Sequence, residues 1–351
     1  MSKAVKRTAV AALAGVMAAG MFSGCGSAKE IDGTKTVATL NETEIPMGVL
    51  SLFARQQQAQ TAAMYMSFMG SSANIWDQTA DEETGETYGD QAVQDSLKAL
   101  ETMYILKEKA VDYGVEVTED DEKAIAEAAA AFLEANDEET VKELAVTEEQ
   151  VKTLLELQTY RTRIYDPIAA EANVEISDDE ANQSAFTYVN ISTSVQDLTE
   201  EDIAKRKEQA QAILDKVKED PTADMTEIAK SEDESYTSLS GTFTTKKSED
   251  TQDSYPEEVM EVLRGLGEGE VAEEIIETET GYYIVRLDKA LDEDATASKR
   301  DSLKASKERD FYTETTDKWL EEADVKVDEK VLETLTITDS HTFSIKMPEA
   351  E

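Results

Sequence analysis

Two side chains that could do chemistry occur only once each in this sequence, Cys25 and His341. The single histidine lies in a polar stretch near the C-terminus, so Ser-His-Asp or Cys-His catalysis finds no base in a region expected to fold. Zinc sites built from histidine and cysteine lack their ligands, and no metal site is expected. No glycine-rich phosphate loop or dinucleotide fingerprint is present, so no cofactor is expected either. Aspartate and glutamate number 77, which makes any particular acid–base pair an arbitrary choice. Catalysis by this chain has to proceed without histidine. A lone cysteine cannot close an internal disulfide, and a free exposed thiol is a liability outside the cell.

The N-terminus accounts for that cysteine. Lys3, Lys6 and Arg7 precede an uncharged apolar run of 15 residues, Thr8 to Phe22, which is secretory in layout and short for a bilayer span. Phe22-Ser23-Gly24-Cys25 resembles the lipobox of bacterial lipoproteins, with Phe22 standing where leucine is usual. The resemblance implies lipidation of Cys25, cleavage before it, and a chain anchored to the extracytoplasmic face of the cell membrane. Simple secretion with cleavage near Gly24 is the alternative. Without Lys3, Lys6 and Arg7 the chain holds 31 basic and 77 acidic residues, a formal charge of −46. That charge argues against nucleic acid or anionic lipid as the partner surface and is in the main a solvated surface.

The elements that would position any site divide by texture. Residues 1–24 are read as the signal and take no part in the fold, and 25–34 as a lipidated tether. Thr36 to Asn41 alternates as a strand, and a helix starts near Pro46. It leads to a methionine-rich patch, Met64, Met66 and Met69 with Tyr65 and Phe68, either core filling or a surface adaptable to apolar clients. Val93, Leu97, Leu100 and Tyr104 fall at helical spacing and stop at Gly114. Helices are predicted at 121–136 and 148–172. Three extended segments, at Val115, Val174 and Val325, each close on an N-cap residue and an acidic first turn. Ser177 with Glu180 and Thr147 with Gln150 have capping-box spacing. From Phe186 the pattern becomes strand, charged helix (200–219), short helix (225–230), Ser/Thr-rich stretch, helix through Val259 and Leu263, and strand (281–287). That order reads as a compact α+β domain. A long helix follows at 296–322.

In their order these pieces resemble the PrsA and SurA group of extracytoplasmic foldases. The carriers are Val37 to Asn41, the run Leu100 to Asp121, and five stretches that are parvulin-like. Those five are Phe186–Ser192, Ser231-Glu232-Asp233, Ser240–Phe243, Leu266–Val271 and Thr280–Val285. The resemblance implies an α+β fold in which a helical chaperone domain, 35–183 completed by 293–335, carries an inserted parvulin-like domain at 184–292, with a polar tail at 336–351. It implies partners that are unfolded or newly secreted polypeptides. It places Asp233, Tyr188 and Tyr283 at the catalytic positions, the tyrosines replacing the two usual histidines, and Phe243, Val259 and Met260 at the proline pocket.

Prolyl isomerisation breaks no covalent bond. The barrier of about 20 kcal/mol is lowered by binding the twisted amide more tightly than either planar form. A tyrosine hydroxyl both donates and accepts, so tyrosines can keep part of the histidine network. The expectation is a lipid-anchored foldase whose isomerase activity is weak or lost. The alternatives are a fully active isomerase and a non-catalytic binding or structural lipoprotein.

Overall fold

The computed structural model describes residues 21–25, 30–70, 74–196, 198–248 and 251–346. In chain order the elements begin with β1 (Met21–Cys25), β2 (Thr36–Leu40), β3 (Thr43–Pro46), α1 (Met47–Met69), α2 (Tyr88–Lys109), α3 (Glu119–Ala135), α4 (Glu138–Leu144) and α5 (Glu148–Ala170). Next come α6 (Asp178–Ala181), β4 (Gln183–Ser192), α7 (Glu200–Glu219), α8 (Met225–Glu232), β5 (Ser238–Thr244), α9 (Glu257–Gly265), β6 (Ile276–Thr278) and β7 (Gly281–Lys289). The chain closes with α10 (Glu293–Glu322), β8 (Val325–Val327), α11 (Glu329–Leu332) and β9 (Thr342–Lys346). The fold is α+β, and it divides into residues 1–172 with 310–351, and an inserted unit, 173–309.

The first unit is helical. Helices α2, α3 and α5 start where a threonine side chain accepts from the third amide of the helix and an acidic or amide side chain there accepts from the threonine amide, at Thr87/Asp90, Thr118/Asp121 and Thr147/Gln150. Apolar faces of α1, α2, α3 and α5 close over one core holding Leu50, Phe53, Leu100, Met103, Phe132, Leu154 and Leu157. A three-stranded antiparallel sheet, ordered β3-β2-β8, joins the two ends of the chain. Sequence reading found β2 but ran it straight into the helix. Strand β3 is a four-residue hairpin return, too short for an alternating pattern to register. An ion pair fastens α3 to α5: Arg163 donates from Nη1 and Nη2 to the two carboxylate oxygens of Asp121, each at 2.7 Å. These bonds hold the Asp121 carboxyl well below the usual carboxylate range.

The chain ends depart from expectation. Residues 1–20, where the signal is expected, lie outside the described residues. Met21–Cys25 does take part, pairing antiparallel with β9, so the expectation that nothing before Cys25 joins the fold fails for its last four residues. Of the tether at 25–34, residues 26–29 lie outside the described residues. Gly33 is buried, and its carbonyl accepts from Gly48 N at 3.0 Å and Gln150 Nε2 at 2.7 Å.

The polar tail expected at 336–351 is folded at least to Phe343. Leu335, Ile337 and Phe343 belong to the first core. His341, expected outside any folded region, is only 2% exposed, and Arg55 on α1 is fully buried beside it. Arg55 Nη2 donates to His341 Nδ1 at 3.1 Å and to the Thr336 carbonyl at 2.8 Å, while Nη1 donates to Gln58 Oε1 at 2.9 Å. Gln58 Nε2 donates to the His341 carbonyl at 3.0 Å. The Arg55 guanidinium lies 5.0 Å from the centre of the Phe343 ring. Burial brings the Arg55 pKa down to about 10. Burial, then the Arg55 charge, lowers that of His341. The reason for the misreading is physical: polar neighbours at 338–342 hide an alternation whose inward residues are His341 and Phe343.

The second unit is an antiparallel sheet ordered β5-β4-β7-β6. Strand alternation gives it two cores. Val189, Ile191, Tyr282 and Ile284 face α7 and α8 with Ile213, Leu214, Val217 and Met225. Phe186, Tyr283, Val285 and Leu287 face α9 with Val259, Met260 and Leu263. The Ser/Thr-rich stretch is β5, which holds Ser240-Gly241 within the strand rather than in a loop. Gly281 has φ 152°, and a Cβ there would stand 2.3 Å from the Ile191 carbonyl oxygen, so only glycine fits where β7 begins against β4.

Candidate functional site

Tyr188 on β4 and Tyr283 on β7 occupy the sheet face toward α9. The register pairs Tyr188 with Val285 and Asn190 with Tyr283, so the tyrosines are diagonal neighbours on adjacent strands. Their ring centroids lie 5.8 Å apart with planes inclined by 28°. Phe186 stacks on Tyr188 at 5.4 Å and meets Phe243 edge-on at 5.8 Å. Tyr255, in the loop before α9, closes the layer edge-on against Phe186 at 5.0 Å and Tyr188 at 5.6 Å. Offset and edge-to-face contacts at these distances each contribute about 0.5–1.5 kcal/mol beyond burial.

Two features fix this layer. Gly241 lies opposite Phe186 in the β4–β5 register. A Cβ on Gly241 would fall 2.3 Å from Tyr255 Oη and 2.8 Å from the Phe186 ring, so the aromatic approach requires the missing side chain. Arg264 on α9 donates to both carboxylate oxygens of Asp253, at 2.9 and 2.7 Å, and to the Thr244 carbonyl at 3.2 Å. That bidentate pair ties the loop carrying Tyr255 to α9 and the end of β5. It also lowers the Asp253 pKa. Arg264 lies 5.7 Å from the Phe243 ring centre.

The expected site residues separate into three groups. Tyr188 and Tyr283 come together, Tyr188 half-buried and Tyr283 buried. Burial, then the neighbouring Tyr255 and Tyr283, pushes the Tyr188 hydroxyl pKa up. Phe243, Val259 and Met260 are all buried, with Val259 and Met260 forming the floor beneath the aromatic layer rather than an open wall. Asp233 is exposed at the end of α8. Its Oδ1 accepts from Ser235 N at 2.9 Å and Ser235 Oγ at 2.7 Å, which lowers its pKa. The next ring along, Tyr236, packs with the α7/α8 core on the opposite sheet face. Among the described residues no hydrogen bond joins Asp233 to either tyrosine.

Sequence reading passed over Tyr255 and Asn190. Tyr255 sits in an acidic, serine-rich stretch without periodicity, and its one local signal is Pro256 at the N-cap of α9. Asn190 is two residues from Tyr188 on the same face, and its Oδ1 is buried without a protein partner. Chemically the face offers aromatic rings and, on Tyr188, Tyr255 and Tyr283, hydroxyls that donate or accept.

A four-stranded antiparallel sheet with one helix on the site face and two behind defines a small α+β domain. Residues 180–299 match the family model of the PPIC-type PPIASE domain, the parvulin class of peptidyl-prolyl isomerase. No curated protein matches the chain. Among solved structures, a peptidylprolyl isomerase (PrsA) from Bacillus anthracis is similar at 15% identity and a TM-score of 0.27, covering 64% of this chain and 96% of its own. PrsA from Bacillus subtilis is similar at 14% identity and 0.25, covering 86% and 98%. The foldase protein PrsA from Streptococcus pneumoniae is similar at 18% and 0.23, covering 68% and 89%.

Proposed function

We propose that this chain is a lipid-anchored extracytoplasmic foldase that assists secreted polypeptides, with a parvulin-type domain of weak prolyl isomerase activity. The observation that carries the reading is the stacked pair Tyr188 and Tyr283 on the sheet face of the PPIC-type domain, where the resemblance places two histidines. The half-buried rings of Tyr188 and Tyr255 take the proline ring, and desolvation of the peptide carbonyl favours the twisted amide over the planar one. The hydroxyls of Tyr188 and Tyr255 give that amide hydrogen-bonding partners without a histidine network. Asp233 acts at most from the rim. Cys25 carries the lipid, and the partners are unfolded chains emerging at the membrane surface.

The test is NMR exchange spectroscopy of Xaa-Pro peptides with residues 25–351 carrying Cys25→Ser. Weak acceleration is expected, abolished by Tyr188→Ala and changed less by Asp233→Ala. No acceleration by a folded chain would remove the catalytic half of the proposal and leave polypeptide holding as the function.

A further inference from the structure

Helix α1 changes character at Ala59. Up to that point it is lined by buried residues, and beyond it every residue is half-buried or exposed. Met64 is 51% exposed, Met66 53%, Phe68 82% and Met69 71%. These side chains sit around the helix rather than along one stripe, so no single neighbouring face covers them. From Gln56 to Trp76 the sequence holds no charged residue, in a chain of which 32% is charged. An exposed, wholly uncharged, Met- and Phe-bearing helix end is out of keeping with the rest of this surface.

The position of Cys25 says what covers it. In the β1–β9 register Cys25, the one β1 residue that cleavage before it leaves in place, pairs with Thr342. The adjacent His341 carbonyl accepts from Gln58 Nε2, which brings Cys25 alongside the middle of α1. From Gln58 the helix continues 11 residues to Met69, about 16 Å at 1.5 Å per residue. Chain length adds an upper bound: five peptide links hold Cys25 within about 17 Å of Glu30, which belongs to the first unit. Charge disfavours the other occupants. Two copies carrying −46 each, without Lys3, Lys6 and Arg7, repel. A bilayer is likewise approached only by an uncharged part of so acidic a chain.

We propose that the end of α1, Met64 to Met69, inserts into the interface of the phospholipid bilayer to which Cys25 is tied, so that the first unit is held to the membrane at two points. This rests on the reading that Cys25 is lipidated. Methionine and phenylalanine side chains enter the headgroup–acyl boundary, about 5–10 Å deep, without carrying charge into it.

The test uses residues 25–351 with Cys25→Ser, which carry no lipid, and vesicles of phosphatidylcholine, which carry no net charge. Co-flotation is measured for this protein and for a variant with Met64→Gln, Met66→Gln, Phe68→Ser and Met69→Gln. The substitutions fall on exposed positions, and an unchanged thermal transition checks the fold. A partition at least tenfold higher than the variant's is the expected result. Equal partition of the two, including no binding by either, overturns the proposal. Equal partition together with loss in the variant of protection of an unfolded protein from aggregation overturns it in favour of a polypeptide occupant. The mass of the chain isolated from membranes reads the lipid separately. An unmodified Cys25 with tip-dependent flotation removes the anchor and keeps the insertion.

Discussion

The two units solve the same problem, joining strands and helices around a core, with opposite materials. The first buries charge: Arg55 meets His341, and Arg163 grips Asp121, each bond linking segments remote in sequence. The second packs rings, Phe186, Phe243 and Tyr283 with the half-buried Tyr188 and Tyr255, and its bidentate ion pair, Arg264 with Asp253, holds the loop beside them. The contrast teaches where specificity resides. Charged contacts in the first unit dictate which distant segments meet, because a wrong partner leaves a buried charge unpaired. Ring contacts in the second carry no such charge penalty and are set by stacked and edge-on geometry.

The contrast breaks most readily at Arg55. Arg55→Ala leaves Gln58, Thr336 and His341 without their donor and opens a cavity, at a cost of about 3–5 kcal/mol to the first unit. Both tryptophans, Trp76 and Trp319, belong to that unit, so denaturant titration followed by tryptophan emission isolates it. Next is Arg163→Ala, which strands the Asp121 carboxylate and lowers the same transition by about 3 kcal/mol. In the second unit Gly241→Ala drives a methyl group into Tyr255 and Phe186, destabilising it by about 1–3 kcal/mol. Near-ultraviolet tyrosine dichroism changes in that variant while the tryptophan transition stays in place.

A fourth prediction concerns pH. The folded-state pKa of His341 lies below that of the unfolded chain, so on acidification the unfolded state binds the proton first. The contribution of His341 to the first unit's stability is therefore full above about pH 6.5 and falls below it. His341→Gln flattens that slope in the tryptophan-detected transition, and the second unit, which has no histidine, shows no matching change. The smallest effect is expected for Tyr188→Phe, which removes one half-buried hydroxyl and shifts the second unit's stability by no more than about 1 kcal/mol.

Much of this was legible from residue order. The long helices carry apolar spacing and acidic first turns, and Thr147, Ser177 and Asp328 cap as their neighbours suggest. The tyrosine pair was legible only through resemblance, since nothing local to Tyr188 and Tyr283 says that they meet. Arg55 was illegible because a basic residue in a helix reads as solvated until a partner 286 residues away is placed beside it. Tyr255 was hidden by its polar surroundings. The exposure of Met64 to Met69 was open to two readings, and the structure places these side chains outside the core.

The division of the chain also sets an order in time. The inserted unit is a continuous run, 173–309, and holds all its own strands. The unit around it needs β8, Leu335, Ile337 and Phe343, which are made after the inserted unit. In a chain delivered N-terminus first, the sheet with the tyrosine face closes while the helical unit still waits for its segment from Asp310 onward. Chains cut short at the C-terminus then retain a folded isomerase-type sheet and lose the helical unit, so truncation separates the two halves more cleanly than any single substitution.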